Sequence, residues 1–295
     1  MKNNRYLLRQ PICVWARNIC YIIPVCILCS FQLQAQSQHT KPGPPWYVER
    51  FKVSAGAFFP INNTDVSVGS TDGRIGTDID FEDDLGFNKN TGTFLLDLQW
   101  RASRRSRFDL SYYRVARNSD YRLQKDITFG ESTYNINTSI NAFFNTDIYR
   151  FSYGYAFFIN PKFEAGLLVG AHIVGLDAGI NVVGANVGAS LKDNFGITAP
   201  LPDFGIWGGY SFAKKWYINA EVDYFALTVN DYKGRILAYT AAVNYRAVKG
   251  LDVAVGYTGL NARIDAEKDR LLGYFKWGYN GPSVTVSYTF GRSKW

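Results

Sequence analysis

The chain has 295 residues, 32 Lys and Arg against 25 Asp and Glu, and a 16% share of aromatics. Its four cysteines, Cys13, Cys20, Cys26 and Cys29, all lie in the first 35 residues, so the rest of the chain offers no disulfide, zinc-thiolate site or cysteine nucleophile. The formal charge of +7 falls to +3, 28 basic against 25 acidic residues, without the four basic residues of that same stretch, which removes any case for nucleic-acid binding.

Residues 1–35 carry Lys2, Arg5, Arg9 and Arg17 with no acid, then the apolar run "CYIIPVCILCSF" and the polar "QLQAQS". A basic start, a short apolar stretch and a small residue at Ala35 predict a secretory signal peptide cleaved after Ala35. The run falls short of the ~20 residues a spanning helix needs, and Pro24 interrupts it. Residues 36–46 read as a polar, proline-stiffened linker, and residues 47–295 as one domain. No later apolar run is long enough for a membrane helix.

From there, segment after segment alternates with period two. "RFKVSAGAF" sets Phe51, Val53, Ala55 and Ala57 against Arg50, Lys52 and Ser54; "TFLLDLQWR" sets Phe94, Leu96, Leu98 and Trp100 against Asp97, Gln99 and Arg101. The pattern recurs in "RFDLSYY", "YRFSYGYAF", "FEAGLLVGAHI", "DFGIWGGYSF", "YINAEVDYFA", "LAYTAAVNYR", "LDVAVGY" and "SVTVSYTF", which makes ten strands.

Alternation alone does not say which face is wet; the connections do. Strands two and three are joined by "ASRRS", four and five by "INPK", six and seven by "AKK", eight and nine by "AVKG". The intervening connections, at residues 60–90, 117–145, 181–199, 228–234 and 260–272, are long. Short turns at one end and long loops at the other predict an all-β, transmembrane, antiparallel up-and-down barrel with long extracellular hairpins. Trp100, Phe108, Phe157, Phe163, Phe212, Trp216, Tyr245 and Phe290 gather at the short-turn end, where a lipid interface favours amphipathic rings.

Several stretches, "DFEDDLGF", "RFDLSYYRVARN", "DIYRFSYGYAFF", "TAPLPDFGIWGGYSF" and "GPSVTVSYTF", resemble a family of uncharacterised bacterial outer-membrane β-barrel proteins. The resemblance implies a fold and a location in the outer membrane of a Gram-negative bacterium; it carries over no reaction and no ligand. The last strand, ending in Tyr288-x-Phe290, also resembles the signal read by the barrel-assembly machinery, although "GRSKW" follows the Phe.

Strand parity points Arg50, Lys52, Arg101, Arg150 and Arg246 inward with Asp97, Asp109, Glu164, Asp203, Glu221, Asp223 and Asp252, joined by His172. Charges inside a narrow barrel must be paired or hydrated, and ten strands enclose little more than their own side chains, so the lumen is expected to be filled. Gly166 and Gly170 are small lumenal residues; no strand-to-helix turn makes "GLLVGAHIVG" a phosphate loop.

The acidic stretch "DIDFEDDLGF", with Asp78, Asp80, Glu82, Asp83 and Asp84, falls in the first long loop. As a calcium site it lacks Gly at the sixth loop position and Glu at the twelfth, where Lys89 stands, so a solvated, capped turn around "EDDLG" is the expectation. No metal ligand set, cofactor site or catalytic residue is assigned. Omptin proteases, also ten-stranded, use Asp and His near the exterior rim, but only His39 and His172 follow the signal, and the sequence supplies His172 no evident partner.

The expected function is a non-enzymatic barrel with a structural or surface-binding role through its extracellular loops. Its expected partners are outer-membrane lipid, the assembly machinery and an extracellular ligand. A porin-like small-solute channel is the alternative, and a surface hydrolase of omptin type comes third.

Overall fold

The computed structural model describes residues 43–69, 76–129, 132–183, 192–229, 231–268 and 271–291. The expected signal peptide and most of the linker lie outside the described residues. The strands are β1 (Phe51–Phe58), β2 (Ile61–Gly69), β3 (Gly76–Asp80), β4 (Thr93–Arg101), β5 (Ser106–Arg122), β6 (Ile127–Phe129) and β7 (Ser132–Tyr134). They continue as β8 (Ser139–Ile159), β9 (Phe163–Val182), β10 (Lys192–Ala213), β11 (Trp216–Val229), β12 (Tyr232–Val248), β13 (Leu251–Lys268) and β14 (Leu271–Phe290).

Ten of them form a closed antiparallel ring in the order β1-β4-β5-β8-β9-β10-β11-β12-β13-β14, sealed by β1 against β14 from Phe51↔Phe290 to Phe58↔Ser283. These are the ten segments whose alternation the sequence displays. Closure leaves no unpaired edge around the ring, the condition for a sheet in hydrocarbon. β2 continues β1 after Phe59-Pro60 along the upper part of β14 and pairs with β3, while β6 and β7 make a separate small hairpin.

Short connections at residues 102–105, 160–162, 214–215 and 249–250 gather at the end where β1 begins and β14 finishes. Register shifts fall just before three of these turns, at Ala156/Phe158, Ser211/Ala213 and Arg246/Val248, tightening the chain into them. Gly250, at φ +80°, occupies a conformation that side-chain-bearing residues resist.

At the other end the structure departs from expectation. Much of residues 117–145, 228–234 and 260–272, expected as long loops, is continuous strand: β11 and β12 pair as far as Val229↔Tyr232, and β13 and β14 as far as Lys268↔Leu271. Strands β8, β9, β10 and β14 run 20 to 22 residues, about twice what a tilted strand needs to cross a bilayer.

The two halves of these strands have opposite polarity. Near the short turns the outer face is apolar (Val53, Phe94, Leu96, Leu98, Phe204, Ile206, Val253, Val284 and Val286 are all exposed) and the interior is charged. Toward the hairpin end the outer face carries Arg114, Asn118, Asp120, Asp177 and Lys276, while Ile140, Phe144, Ile148, Val174, Ile180 and Trp277 are buried inside. On β8 the switch comes between Ile148, buried inward, and Tyr149, exposed outward. The lower girdle is as expected, with Trp100, Phe157, Phe212, Trp216 and Phe290 exposed, Phe108, Phe163 and Tyr245 half-buried, and Trp100 stacked on Phe108 at 5.3 Å. A second girdle of Tyr112, Tyr149, Tyr224, Tyr239 and Tyr257 marks the upper border of the apolar belt, with Tyr112 and Tyr149 centred 4.7 Å apart.

Candidate functional site: the charged lumen and its two closures

The lower lumen is a layer of interlocked ion pairs. Arg101 on β4 meets Glu164 on β9 at 2.5 Å; Arg150 on β8 reaches Glu221 at 2.5 Å and Asp223 at 2.9 Å on β11. Arg246 grips Asp252 across the β12–β13 turn, and Tyr217 donates to the same carboxylate at 2.9 Å. His172 Nδ1 lies 2.7 Å from Asp203 Oδ2, both buried. Gln99 donates to Asp109 at 2.7 Å, and Lys52 reaches the Tyr217 hydroxyl at 3.5 Å. Asp97 lines the same space, a cavity of about 240 Å³ bounded also by Lys52, Asp109, Arg150, Glu221 and Asp223.

Twelve of the thirteen residues assigned to the lumen by parity therefore stand there. The thirteenth, Arg50, is exposed: it precedes β1 at the rim, where its backbone N–H bonds Gly291, and the strand has not yet entered the barrel. Two residues essential to the layer escaped the sequence reading. Arg107 bonds Glu221 at 2.5 Å and lies 2.9 Å from Asp109, and its guanidinium stacks 3.8 Å over the buried ring of Trp207. Parity was the available signal, since Arg107 shares a face with Asp109 and Trp207 with Asp203.

Glycines make room for these large groups. A Cβ on Gly205 would fall 2.1 Å from Asp223 Oδ1, and one on Gly154 would fall 3.0 Å from both Arg107 Nε and Trp207 Nε1. Gly166, expected to be a small lumenal residue, sits where a Cβ would strike the Tyr155 carbonyl oxygen at 2.0 Å.

Below this layer the end of the expected linker closes the mouth. Pro45, Tyr47 and Val48 are buried; the Tyr47 ring lies parallel to Tyr217 at 4.3 Å, and Trp46 donates to Ser211 Oγ at 2.5 Å. Burial pushes the Tyr47 hydroxyl far above the usual phenol range, which keeps it neutral.

Above, the acidic stretch supplies the second closure, and here the expectation of a solvated loop is corrected. Asp78 and Asp83 are exposed, but Phe81, Glu82, Leu85 and Phe87 are buried, with Phe81 edge-on to Phe144 at 5.4 Å. Four apolar side chains, Ile79, Phe81, Leu85 and Phe87, alternate with the acids and join the apolar interior, so the turn is drawn into the barrel. Glu82 accepts from Arg117 on β5 and from the Thr64 N–H at 3.0 Å, while Arg117 also donates to Thr64 Oγ1 at 2.5 Å. The capped turn itself is present: Asp80 Oδ1 accepts from the N–H groups of Glu82 and Asp83 at 2.9 and 2.8 Å, and Asp84 from that of Asp80 at 2.9 Å. Asp84 also meets Lys125 at 2.7 Å, and Asp83 meets Lys89 at 3.2 Å, a hydrogen bond that holds the Lys89 ammonium above the usual lysine range. Among the described residues no group of three or more His, Cys, Asp or Glu is placed to hold a metal ion.

No family model and no curated protein matches the chain. Among solved structures it is similar to the outer membrane protease OmpT from Escherichia coli, with a TM-score of 0.50 and 10% identity over 81% of this chain and 97% of that one. It also matches the translocator domain of the autotransporter NalP from Neisseria meningitidis (TM-score 0.43, 12% identity, 93% and 96% coverage). A third match is Ail of Yersinia pestis (TM-score 0.29, 12% identity, 79% and 99% coverage). At such identities the likeness is one of fold: the chain is an outer-membrane-type β-barrel.

Proposed function

We propose that this barrel is a closed, non-enzymatic pedestal in the outer membrane of a Gram-negative bacterium, delivered there after signal-peptide cleavage at Ala35. Its hairpin end serves as a surface that binds an extracellular partner. The observation that carries this reading is the double closure of the lumen. The Trp46–Tyr47 segment closes the lower mouth beneath the ion-pair layer and its cavity of about 240 Å³, and an apolar cluster containing Phe81, Phe87, Phe144 and Trp277 fills the upper half. A porin-like path needs continuous water, and the buried apolar side chains of this cluster supply no polar lining for one, which supports the closed reading. The hydrolase reading gains a partner for His172 in Asp203. That pair, however, is buried directly beneath Val174 of the apolar cluster, away from any rim a surface substrate could reach.

Planar-bilayer recording of the purified barrel tests the reading. The intact protein is expected to give no stable conductance steps, and regular steps from it would overturn the closed pedestal in favour of the channel.

A further inference from the structure

Charge on the outer face of the hairpin end is unevenly distributed. On β12, β13 and β14, Arg235 stands opposite Arg263, and Arg263 opposite Lys276, so three cations share one rung of the sheet. Neighbouring strands lie about 4.8 Å apart, which places the three within roughly 10 Å. Like charges directly opposed across a ladder destabilise it. Here the rung is only partly neutralised: Lys276 meets Asp65 at 2.8 Å and Arg263 meets Asp265 at 2.7 Å. Arg235 is exposed and has no ion-pair partner among the described residues. Across the barrel the corresponding face is mixed, with Asp120, Asp177 and the exposed Arg122, and with Asp147 beside Arg114 at 3.9 Å.

The height of the rung is as informative as its charge. Two residues nearer the short turns, Leu237 pairs with Tyr224, and beyond them come Tyr239 and Val222 on the lipid-facing belt. On β12 the rung therefore stands one step above the Tyr224–Leu237 border of the apolar belt, where the headgroups of an outer leaflet begin, while on β13 and β14 the polar Asn261 and Gly278 lie next below it. An open cleft beside it is lined by Lys233, Arg235 and Arg263, by the single acid Asp265, and by small and apolar residues between them.

We propose that Arg235, Arg263 and Lys276 form a binding site for the phosphate groups of an outer-leaflet glycolipid of the lipid A type. The acyl chains would lie along Tyr224 and Leu237. Guanidinium groups bind phosphate oxygens through paired, charge-assisted hydrogen bonds, and a phosphate over the rung removes the repulsion within it. An acidic protein would match the charge equally well but would leave unexplained why Arg235 stands next above Leu237 and Tyr224 of the apolar belt. The inference rests on the outer-membrane reading.

The test uses the full-length barrel in phosphatidylcholine vesicles with and without lipid A, reading the temperature at which its heat-dependent gel mobility changes. Lipid A is expected to raise that temperature for the wild type and for Arg114→Ala, and dephosphorylated lipid A to raise it less. The rise should be lost in Arg235→Ala/Lys276→Ala, with lipid A binding about fivefold weaker for each cation removed. Arg235→Ala alone provides the reading if the double variant fails to fold, because Arg235 holds no ion pair. An equal rise in wild type and variants overturns the site, as does full stabilisation by inorganic phosphate alone. A wild type with no heat-dependent mobility at all overturns the membrane reading instead, so the two failures are distinguishable.

Discussion

Arg117 on the barrel wall and Glu82 on the first surface connection form an ion pair buried inside the apolar upper lumen, with the rings of Phe87 and Phe144 5.3 and 5.0 Å from the guanidinium. Neither charge has water to fall back on, so each depends on the other. Removing one partner of such a pair costs about 3–5 kcal/mol, while replacing both with apolar or neutral groups costs far less. Arg117→Ala should therefore lower the denaturant midpoint markedly and expose residues 76–90 to protease. Arg117→Met/Glu82→Gln should recover most of the loss; equal destabilisation in the two variants would argue against the latch.

Calcium should leave the protein unchanged. Four of the five carboxylates of the "DIDFEDDLGF" turn, all but the exposed Asp78, are already engaged by Arg117, Lys125, Lys89 and backbone N–H groups, so a cation would have to displace these donors. The melting temperature with calcium is expected to equal that with chelator. A calcium-dependent rise abolished by Asp80→Asn/Asp83→Asn/Asp84→Asn would show a site that the turn's own hydrogen bonds conceal.

The reversal of polarity makes Phe144 a core residue and its outward neighbour Asn145 a surface one. Phe144→Ala should cost about 3–5 kcal/mol, the usual range for emptying a buried aromatic site. Asn145→Ala should stay within about 0.5 kcal/mol. Equal effects in equilibrium unfolding would mean that the upper lumen is wet.

In the lower half the sense is opposite. Val253 is 38% exposed on the outer face and Ala254 is 4% exposed in the lumen. Val253→Arg should weaken the folded state by roughly 2–4 kcal/mol if it lies near the midplane. A cysteine at 253 or 286, in a chain otherwise free of thiols after residue 35, should react with a lipid-soluble reagent and resist a water-soluble one. The reverse pattern would place the apolar face inward.

The ten ring strands were legible because alternation and short turns are local signals: "TFLLDLQWR" and "SVTVSYTF" each declare both their faces. The reversal in polarity was not, because a period of two survives when the two faces exchange character. "VARNSDYR" looks like a loop when its Arg, Asn and Asp are read alone, yet Val115, Arg117, Ser119 and Tyr121 alternate with them along β5. The lumenal pairs were legible as a set of residues on one face, but not as partners: His172 and Asp203 are 31 residues apart in sequence and meet only through the β9–β10 register. Glu82 gave no local sign of burial. Its partner lies 35 residues away, and the apolar residues around it suit a turn as well as a plug.

The exchange of polarity along β5, β8, β9 and β14 acts as a depth mark. A barrel with one apolar belt and a uniformly polar remainder could ride higher or lower in a membrane at modest cost. Here a rise of one turn of pleat would lift Tyr149 and Leu237 into water, and an equal descent would press Arg114 and Asp147 into hydrocarbon. The interior is graded to match, with ion pairs level with the lipid and aromatic packing level with the solvent beyond it. The height at which the hairpin end stands above the membrane is thus set by the barrel itself.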